Sequence, residues 1–222
     1  MREERLAAMR VALGQEKADL VIRDGQIIEV YTRQVFSGGI AIKGNRIAAV
    51  GEVDYCIGPE TESIDANGQY LSPGFIDSHI HVAASQLTMT ELARLLVSKG
   101  TSAIATDFYE IFTIAGEEAG RFCADELNST PLKLLFSPFF AAYLGLGPWG
   151  NPGRYSAQEL MTSLDWPEIV ATREWQAGVT FIPDPAIQDF LTSTYERGLV
   201  MEGHLEGRSG RVLQAGVAMG AR

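Results

Sequence analysis

Pro73-Gly74-Phe75-Ile76-Asp77-Ser78-His79-Ile80-His81 is the most informative segment of the sequence. Side chains on a β-strand alternate between its two faces, so a strand over residues 75–82 would place Asp77, His79 and His81 on one face. Two imidazoles about 7 Å apart on one face can bind the same divalent metal ion. A pair of ordinary surface or core histidines is the alternative. It is disfavoured because the chain has only three histidines, and two of them lie in this apolar segment.

After Pro73 the sequence alternates between strand-like and helix-like segments. We predict strands over residues 75–82, 101–106, 133–140, 169–175 and 199–204. We predict helices over residues 88–98, 117–127, 156–164, from Asp184, and over 211–219, with capping signals at Thr88, Ser156 and Asp184. Five βα units in succession indicate a parallel sheet, either part of a barrel or an open doubly wound sheet. A doubly wound nucleotide-binding domain is the weaker alternative, because no glycine-rich phosphate loop follows the first strand.

The sequence before Pro73 has a different pattern, with short apolar runs separated by turn residues. Residues 20–22 lead into Asp24-Gly25, which predicts a hairpin with a return strand over residues 26–31. Gly44-Asn45 predicts a second hairpin. We therefore divide the chain into an N-terminal helix over residues 1–17, a small antiparallel β-sandwich over 18–72, and an α/β domain over 73–222.

Composition and charge exclude several functions. The chain has 222 residues, with 18 Lys and Arg against 28 Asp and Glu, and a net charge of −10. This acidic balance argues against a nucleic-acid partner. We find neither a targeting signal nor an apolar run that could span a membrane. Cys56 and Cys123 match no metal or disulfide framework, so we expect a protein of the reducing cytoplasm.

The segment from Pro73 to His81, preceded by a small β domain, resembles the signature of the amidohydrolase superfamily. Among those enzymes the sequence is most similar to the adenine deaminases. Residues 12–22 resemble their lead-in, Asp107-Phe108-Tyr109-Glu110-Ile111 resembles their D-P-H-E-I motif, and residues 203–210 resemble their G-H-x-P-G-x-x-G motif. The resemblance implies a TIM-like (β/α) barrel with metal at the carboxyl ends of its strands. This chain would hold about five of the eight βα units.

The resemblance also implies the metal ligands. His79 and His81 match the paired ligands after the first barrel strand, Glu174 matches a metal-bridging glutamate at the end of the fourth, and His204 matches the histidine at the end of the fifth. One or two divalent ions are implied, and Zn²⁺, Mn²⁺ and Fe²⁺ all suit such ligands. For Asp107 and Glu110, just past the second strand, either an auxiliary role at the metal or simple loop capping is expected.

The implied reaction is hydrolysis of a C–N bond in a small molecule, such as the purine-metabolism reaction of adenine with water to hypoxanthine and ammonia. The alternatives are a hydrolase of cyclic amides or N-acyl compounds, and a non-catalytic truncated remnant. Tyr109 and Ala83 replace a histidine and an acid of the adenine deaminase pattern, which points to a changed substrate preference. A homo-oligomer is left open by the sequence.

The length of the chain sets a further expectation. A complete barrel needs eight strands and roughly 250 residues. We therefore expect the sequence to be a fragment of a longer enzyme, whose catalytic aspartate lies beyond Arg222, and we assign no catalytic residue within this chain. On this basis the 222-residue chain alone is expected to be inactive.

Overall fold

The computed structural model describes residues 2–138, 156–176, 184–205 and 207–221, apart from the side chains of residues 174–176. The chain divides into two compact units, Met1–Pro73 and Gly74–Arg222. Within the described ranges, no helix combines the length and the apolarity needed to cross a lipid bilayer.

The first unit consists of one helix and one mixed β-sheet. The helix α1 spans Arg2–Ala12. The strands are β1 (Leu20–Glu29), β2 (Gln34–Lys43), β3 (Arg46–Gly51), β4 (Glu62–Asp65) and β5 (Tyr70–Leu71). Their order is β3-β2-β1-β4, and β5 also pairs with β1. A small buried cluster forms the core and includes Val11 from the helix and Val21 and Ala41 from the sheet.

The turn predicted at Asp24-Gly25 is wrong. Strand β1 continues through these residues with a bulge, where Asp24 has a φ of 58° and the pairing with β2 shifts between Ile22 and Gly25. The same residue types favour turns and bulges, because both need a left-handed residue. A Cβ atom on Gly25 would lie 2.5 Å from the side chain of Leu71, so the approach of β5 requires glycine here. The predicted two-residue hairpin at Gly44-Asn45, between β2 and β3, is confirmed.

The small antiparallel sandwich is not confirmed. Strands β1, β2 and β3 pair antiparallel, but β4 and β5 both run parallel to β1, and the described strands of this unit form a single sheet. After β3 the chain passes through a 3₁₀ turn at Asp54–Cys56 and returns along the far side of β1. Turn signals in a sequence mark where strands end, but they do not show which edge of the sheet the next strand joins.

The second unit alternates strands and helices. Its strands are β6 (Phe75–Asp77), β7 (Thr101–Thr106), β8 (Lys133–Phe136), β9 (Ala171–Gln176) and β10 (Val200–His204). Its helices are α2 (Met89–Val97), α3 (Tyr109–Asn128), α4 (Ala157–Thr162), α5 (Pro185–Glu196) and α6 (Gly210–Ala218). Residues 139 and 140 of the predicted third strand lie outside the described residues.

The order of the strands separates the two architectures left open by the sequence. Strands β6, β7 and β8 pair in parallel, as do β9 and β10. A parallel bridge between Phe136 and Ile169 joins β8 to the segment that enters β9. Neighbouring strands therefore follow chain order, whereas in a doubly wound sheet the order of the strands reverses at a switch point. The prediction of an α/β fold is confirmed, and the arrangement is consistent with part of a (β/α) barrel.

The predicted helix caps are confirmed. The Thr88 hydroxyl accepts a hydrogen bond from the Glu91 N–H, and Ser156 and Glu159 form a reciprocal capping box. The Asp184 carboxylate accepts from two N–H groups in the first turn of α5. Each cap satisfies backbone donors that the helix itself cannot pair.

Three boundaries in the second unit differ from the prediction. Strand β8 ends at Phe136, so residues 137 and 138 of the predicted third strand are not part of it. Strand β6 ends at Asp77, and the chain enters a 3₁₀ turn at Val82–Ser85. Helix α3 begins at Tyr109, eight residues before the predicted start at residue 117, and is kinked at Gly116, where φ is 78°. Its first turns contain β-branched Ile111, Thr113 and Ile114, which have weak helix propensity. The sequence pattern therefore did not predict a helix here, and packing stabilises it instead.

The aromatic core of this unit is joined to an ion pair. Phe136 stacks on Trp166 with ring centroids 4.3 Å apart, and the Arg121 guanidinium lies 4.4 Å from the Trp166 ring. Arg121 also forms two hydrogen bonds of 2.9 and 3.0 Å to the Glu168 carboxylate. The Arg121 guanidinium holds the pKa of Glu168 below its usual value, and Asn128 adds to the effect while burial opposes it.

We expect Glu168→Gln to destabilise the chain at pH 7 by about 1.5–3 kcal/mol, the contribution of a hydrogen bond to a charged group. Because the pKa of Glu168 is depressed by folding, its contribution is complete above the ordinary value of 4.5 and is lost as the pH falls through the folded pKa. Urea unfolding between pH 3 and pH 7 should therefore show the wild-type and Glu168→Gln curves converging in acid. Glu91→Gln is the control, because its pair with Arg94 is solvent-exposed and should contribute little to stability at any pH in this range. A constant difference across this pH range would contradict the prediction.

Candidate metal centre

The two histidines of the Pro73–His81 segment meet just beyond the carboxyl end of β6. Their Nε2 atoms are 3.2 Å apart, and their rings lie edge to face with centroids 5.1 Å apart. The prediction that both histidines lie within the strand is wrong, because β6 ends at Asp77. The chain bends at Ser78, where the His79 N–H donates to Asp77 Oδ1 at 3.1 Å. Beyond this bend the Ile80 N–H donates to the Ala105 carbonyl at 3.1 Å, which renews the pairing with β7 for one residue.

Two carboxylates approach His81, one from the loop after β7 and one from the first turn of α3. Asp107 Oδ1 lies 3.5 Å and Glu110 Oε1 lies 4.0 Å from the Nδ1 atom of His81. One ligand atom from each of these three residues lies within 4.8 Å of the others. The carboxyl ends of parallel strands meet at one edge, which is where (β/α) barrels build their sites. These three side chains form the candidate metal centre.

The backbone turn at Phe108 brings the two carboxylates together. Phe108 adopts a left-handed conformation with a φ of 53°, which costs about 1–2 kcal/mol for a residue with a Cβ atom. Its side chain is fully buried, and its ring lies 5.9 Å from that of Phe136. Burial of the aromatic ring therefore offsets the strain and fixes the loop.

Two carboxylate oxygens of this centre have no hydrogen-bond donor among the described residues. The Asp107 side chain is 1% exposed. Its Oδ1 atom accepts the Tyr109 N–H, which caps the start of α3, but no described residue donates to its Oδ2 atom. The buried Oε2 atom of Glu110 likewise has no donor among the described residues. Burying such carboxylate oxygens is costly unless a cation or donor satisfies them, so a nitrogen and two carboxylates suit a divalent ion here.

Tyr109 contributes a neutral phenol beside the carboxylates. Burial raises the pKa of its hydroxyl, and the negative charges of Glu110 and Asp107 raise it further. The phenol is therefore protonated at neutral pH. At this position it can exchange hydrogen bonds, but it cannot act as a base of near-neutral pKa as an imidazole would.

The other two predicted ligands lie on β9 and β10. His204 is the last residue of β10 and is exposed, and it does not join the candidate metal centre. Glu174 lies in β9, but its side chain is outside the described part of the chain. The convergence of His79, His81, Glu174 and His204 on one metal stays a prediction.

Sequence reasoning missed Arg173, a buried arginine of β9. It donates to the Ala105 carbonyl at 3.1 Å, to the Ser78 carbonyl, and to Glu202 Oε1 at 2.7 Å. The available signal was an arginine inside a predicted buried strand, since Arg is almost never fully buried without partners. The carbonyls it bonds belong to the segments that carry the histidines and Asp107.

Comparison with known proteins gives a consistent assignment. The sequence profile of the Amidohydrolase family matches residues 62–108. An adenine deaminase from Moorella thermoacetica is 37% identical over 196 residues, which cover 87% of this chain and 33% of that protein. The chain thus spans about a third of the length of the curated relatives it matches.

Solved structures agree on the fold. An amidohydrolase from an environmental sample of the Sargasso Sea has a TM-score of 0.62 at 16% identity, covering 90% of this chain and 55% of that one. An N-acyl-D-glutamate deacylase from Bordetella bronchiseptica, solved with zinc and a phosphonate inhibitor, has a TM-score of 0.52 at 18% identity, covering 93% and 50%. At these identities the likeness concerns the architecture alone.

Proposed function

We propose that the chain belongs to the amidohydrolase family and supplies part of the active site of a metal-dependent hydrolase acting on a C–N bond of a small molecule, because its residues 62–108 match the family profile and the chain is 37% identical to an adenine deaminase. One observation carries this proposal. His81, Asp107 and Glu110 come together at the carboxyl edge of the parallel strands, and two of their buried oxygens lack donors among the described residues. That arrangement costs stability in a protein without ligands, but it suits one that binds a cation.

The chain's own residues would hold one or two divalent ions. His79 and His81 offer imidazole nitrogens, and Asp107 and Glu110 offer carboxylate oxygens. We propose Glu174 and His204 as further ligands, because β9 and β10 end on the same edge as β6 and β7. Zn²⁺, Mn²⁺ and Fe²⁺ all accept such a mixed set. A bound ion would supply the activation of a water molecule for attack on the substrate.

The remaining residues would shape the site around the ion. Asp107 accepts the Tyr109 N–H at the start of α3 through its Oδ1 atom, so its Oδ2 atom would be available to a cation. Tyr109, protonated and largely buried, presents a neutral hydrogen-bonding group beside the carboxylates. The left-handed turn at Phe108 holds both in place and leaves little freedom for rearrangement. The site is thus positioned before any ligand arrives, as efficient catalysis requires.

For the substrate we propose an aminopurine, with deamination of adenine as the first candidate, because the matched relatives are adenine deaminases. A cyclic amide or an N-acyl compound is the second candidate. It is favoured by Tyr109 and Ala83, which stand where the adenine deaminase pattern has a histidine and an acid. Ala83 lies in the 3₁₀ turn directly after His81, so both departures adjoin the candidate metal centre.

The experiment uses the complete product of the gene, stripped of metal and reloaded with Zn²⁺, Mn²⁺ or Fe²⁺. A panel of adenine and other aminopurines, hydantoins and N-acyl amino acids is assayed for release of ammonia or of the free acid. We expect hydrolysis of at least one class, its loss on chelation, and its return with metal. Stoichiometric metal binding without any turnover would support the non-catalytic alternative, and failure to bind metal would refute the proposal.

A further inference from the structure

Arg173 connects three strands of the second unit. Its Nη1 atom donates to the Ala105 carbonyl of β7 at 3.1 Å, and its Nη2 atom donates to the Ser78 carbonyl just after β6. Its Nε atom donates to Glu202 of β10 at 2.7 Å, and Nη2 lies 2.6 Å from the same carboxylate oxygen. The guanidinium thus bridges from its own strand β9 to the segments on which His79, Asp107 and His204 lie.

Burying the Arg173 guanidinium costs free energy of folding, which suggests that the arginine has a role beyond stability. The Arg173 side chain is only 7% exposed, and a buried guanidinium requires both a counter-charge and hydrogen-bond acceptors. Glu202 supplies the charge, and the two carbonyls supply acceptors. An apolar residue facing apolar neighbours would fill a strand at lower cost, so stability alone gives no reason for an arginine here.

The two carbonyls lie where the sheet stops holding the histidine segment. Strand β6 ends at Asp77, so the Ser78 carbonyl is beyond the strand, and the only described ladder bond further along joins Ile80 to Ala105. Arg173 bonds the Ala105 carbonyl, which is one end of this hydrogen bond, and the Ser78 carbonyl, two residues before its other end. The orientation of the residues after Ser78 therefore depends on the guanidinium as well as on β7.

We propose that Arg173 is a positioning residue of the candidate metal centre, which sets the relative placement of the His79–His81 segment and the Asp107 loop through the carbonyls of Ser78 and Ala105. This inference rests on the proposed function, because the arginine acts on the centre through its neighbours. Lysine cannot replace it, since a single ammonium on a flexible stem does not reproduce the planar fork that reaches three partners.

The first test needs no metal and uses the Arg173→Lys variant of the whole chain. The chain has three histidines, so ¹⁵N spectra of their imidazoles resolve each one. We expect the signals of His79 and His81 to move toward the values of solvent-averaged imidazoles in this variant. The matched control is Arg197→Lys, because Arg197 also bonds a backbone carbonyl and a carboxylate, those of Leu164 and Asp165, away from the centre. The control should leave both signals in place.

The second test measures the affinity of both variants for Co²⁺, with thermal unfolding recorded alongside. We expect Arg173→Lys to bind Co²⁺ about 10–100-fold more weakly, the usual effect of removing a group that orients metal ligands. Arg197→Lys should stay within about twofold of wild type. A purely structural arginine would lower the unfolding temperature while leaving the affinity and the imidazole signals of the folded protein unchanged, and that result would overturn the inference.

The two proposals can fail separately. If the wild-type chain binds no Co²⁺, the imidazole spectra alone decide the role of Arg173, and the metal assay of the complete gene product decides the proposed function. If Arg173→Lys does not fold, Glu202→Gln replaces it, since this change weakens the hold on the guanidinium without removing the guanidinium. Smaller shifts in the same two signals are then expected, and unchanged signals would overturn the inference.

Discussion

Asp107→Asn should make the metal-free chain more stable and remove most of the stabilisation that a divalent metal confers. Asp107 is almost fully buried, no described residue donates to its Oδ2 atom, and Glu110 places a second carboxylate close by. Replacing a buried charge with a neutral amide of the same shape relieves desolvation and repulsion, which we expect to contribute about 1 kcal/mol. The amide keeps an oxygen that can accept the Tyr109 N–H, so the cap on α3 survives.

In the presence of metal, Asp107→Asn should lower the stability gained on binding, which is opposite to its effect on the metal-free chain. A ligand at 100 times its Kd stabilises the protein to which it binds by about 2.7 kcal/mol, whereas a hundredfold weaker affinity leaves about 0.4 kcal/mol. Urea unfolding at pH 8, where an ordinary imidazole is neutral, with chelator and then with Zn²⁺, measures both terms. Asp125→Asn is the matched control, since Asp125 is an exposed acid on α3, and both of its values should lie within about 0.5 kcal/mol of wild type. An unchanged response of Asp107→Asn to metal would remove Asp107 from the centre.

The parts of the fold that depend on local chemistry were predictable from the sequence. The caps at Thr88, Ser156 and Asp184 follow from hydrogen bonds between residues two or three apart, and such signals are contained in a short window. The parallel α/β arrangement follows from the repeated βα pattern. The proximity of His79 and His81 was predictable because they are two residues apart, although the chain bends at Ser78 instead of continuing β6.

The parts that depend on distant contacts were not predictable. Asp24-Gly25 forms a bulge because β5 packs against it, and Leu71 lies 46 positions along the chain from Gly25. Likewise, the meeting of Asp107 and Glu110 with His81 depends on a left-handed Phe108, and a bulky residue rarely adopts that conformation without tertiary packing. Arg173 reaches carbonyls 68 and 95 positions away, and backbone acceptors leave no trace in a sequence.

Restoring the adenine deaminase pattern at two positions should increase turnover of adenine. We expect the complete gene product to deaminate adenine with a specificity constant, kcat/KM, below about 10⁵ M⁻¹s⁻¹, under the range of many enzymes for their own substrates. Tyr109→His together with Ala83→Glu should raise that value by about 10²-fold, the lower contribution of a positioned acid or base. Burial and the neighbouring carboxylates raise the pKa of the Tyr109 phenol, so the wild-type residue accepts no proton near neutral pH. An imidazole titrates in that range, and Ala83 has no ionisable group at all.

The structure can accommodate both Tyr109→His and Ala83→Glu, and Tyr109→Phe serves as the control for the first. Histidine is smaller than tyrosine, and its backbone N–H can still donate to Asp107 Oδ1 at the start of α3. Ala83 is half-buried in the turn after His81, so a glutamate there can extend without entering the core. Tyr109→Phe keeps the ring and removes only the hydroxyl, and it should give no gain with adenine, because the missing function is a titratable group rather than space. Equal gains from Tyr109→Phe and Tyr109→His would instead show that the phenol blocks adenine. If the wild-type specificity constant for adenine already reaches about 10⁵ M⁻¹s⁻¹, as for an enzyme acting on its own substrate, then neither departure affects the choice of substrate.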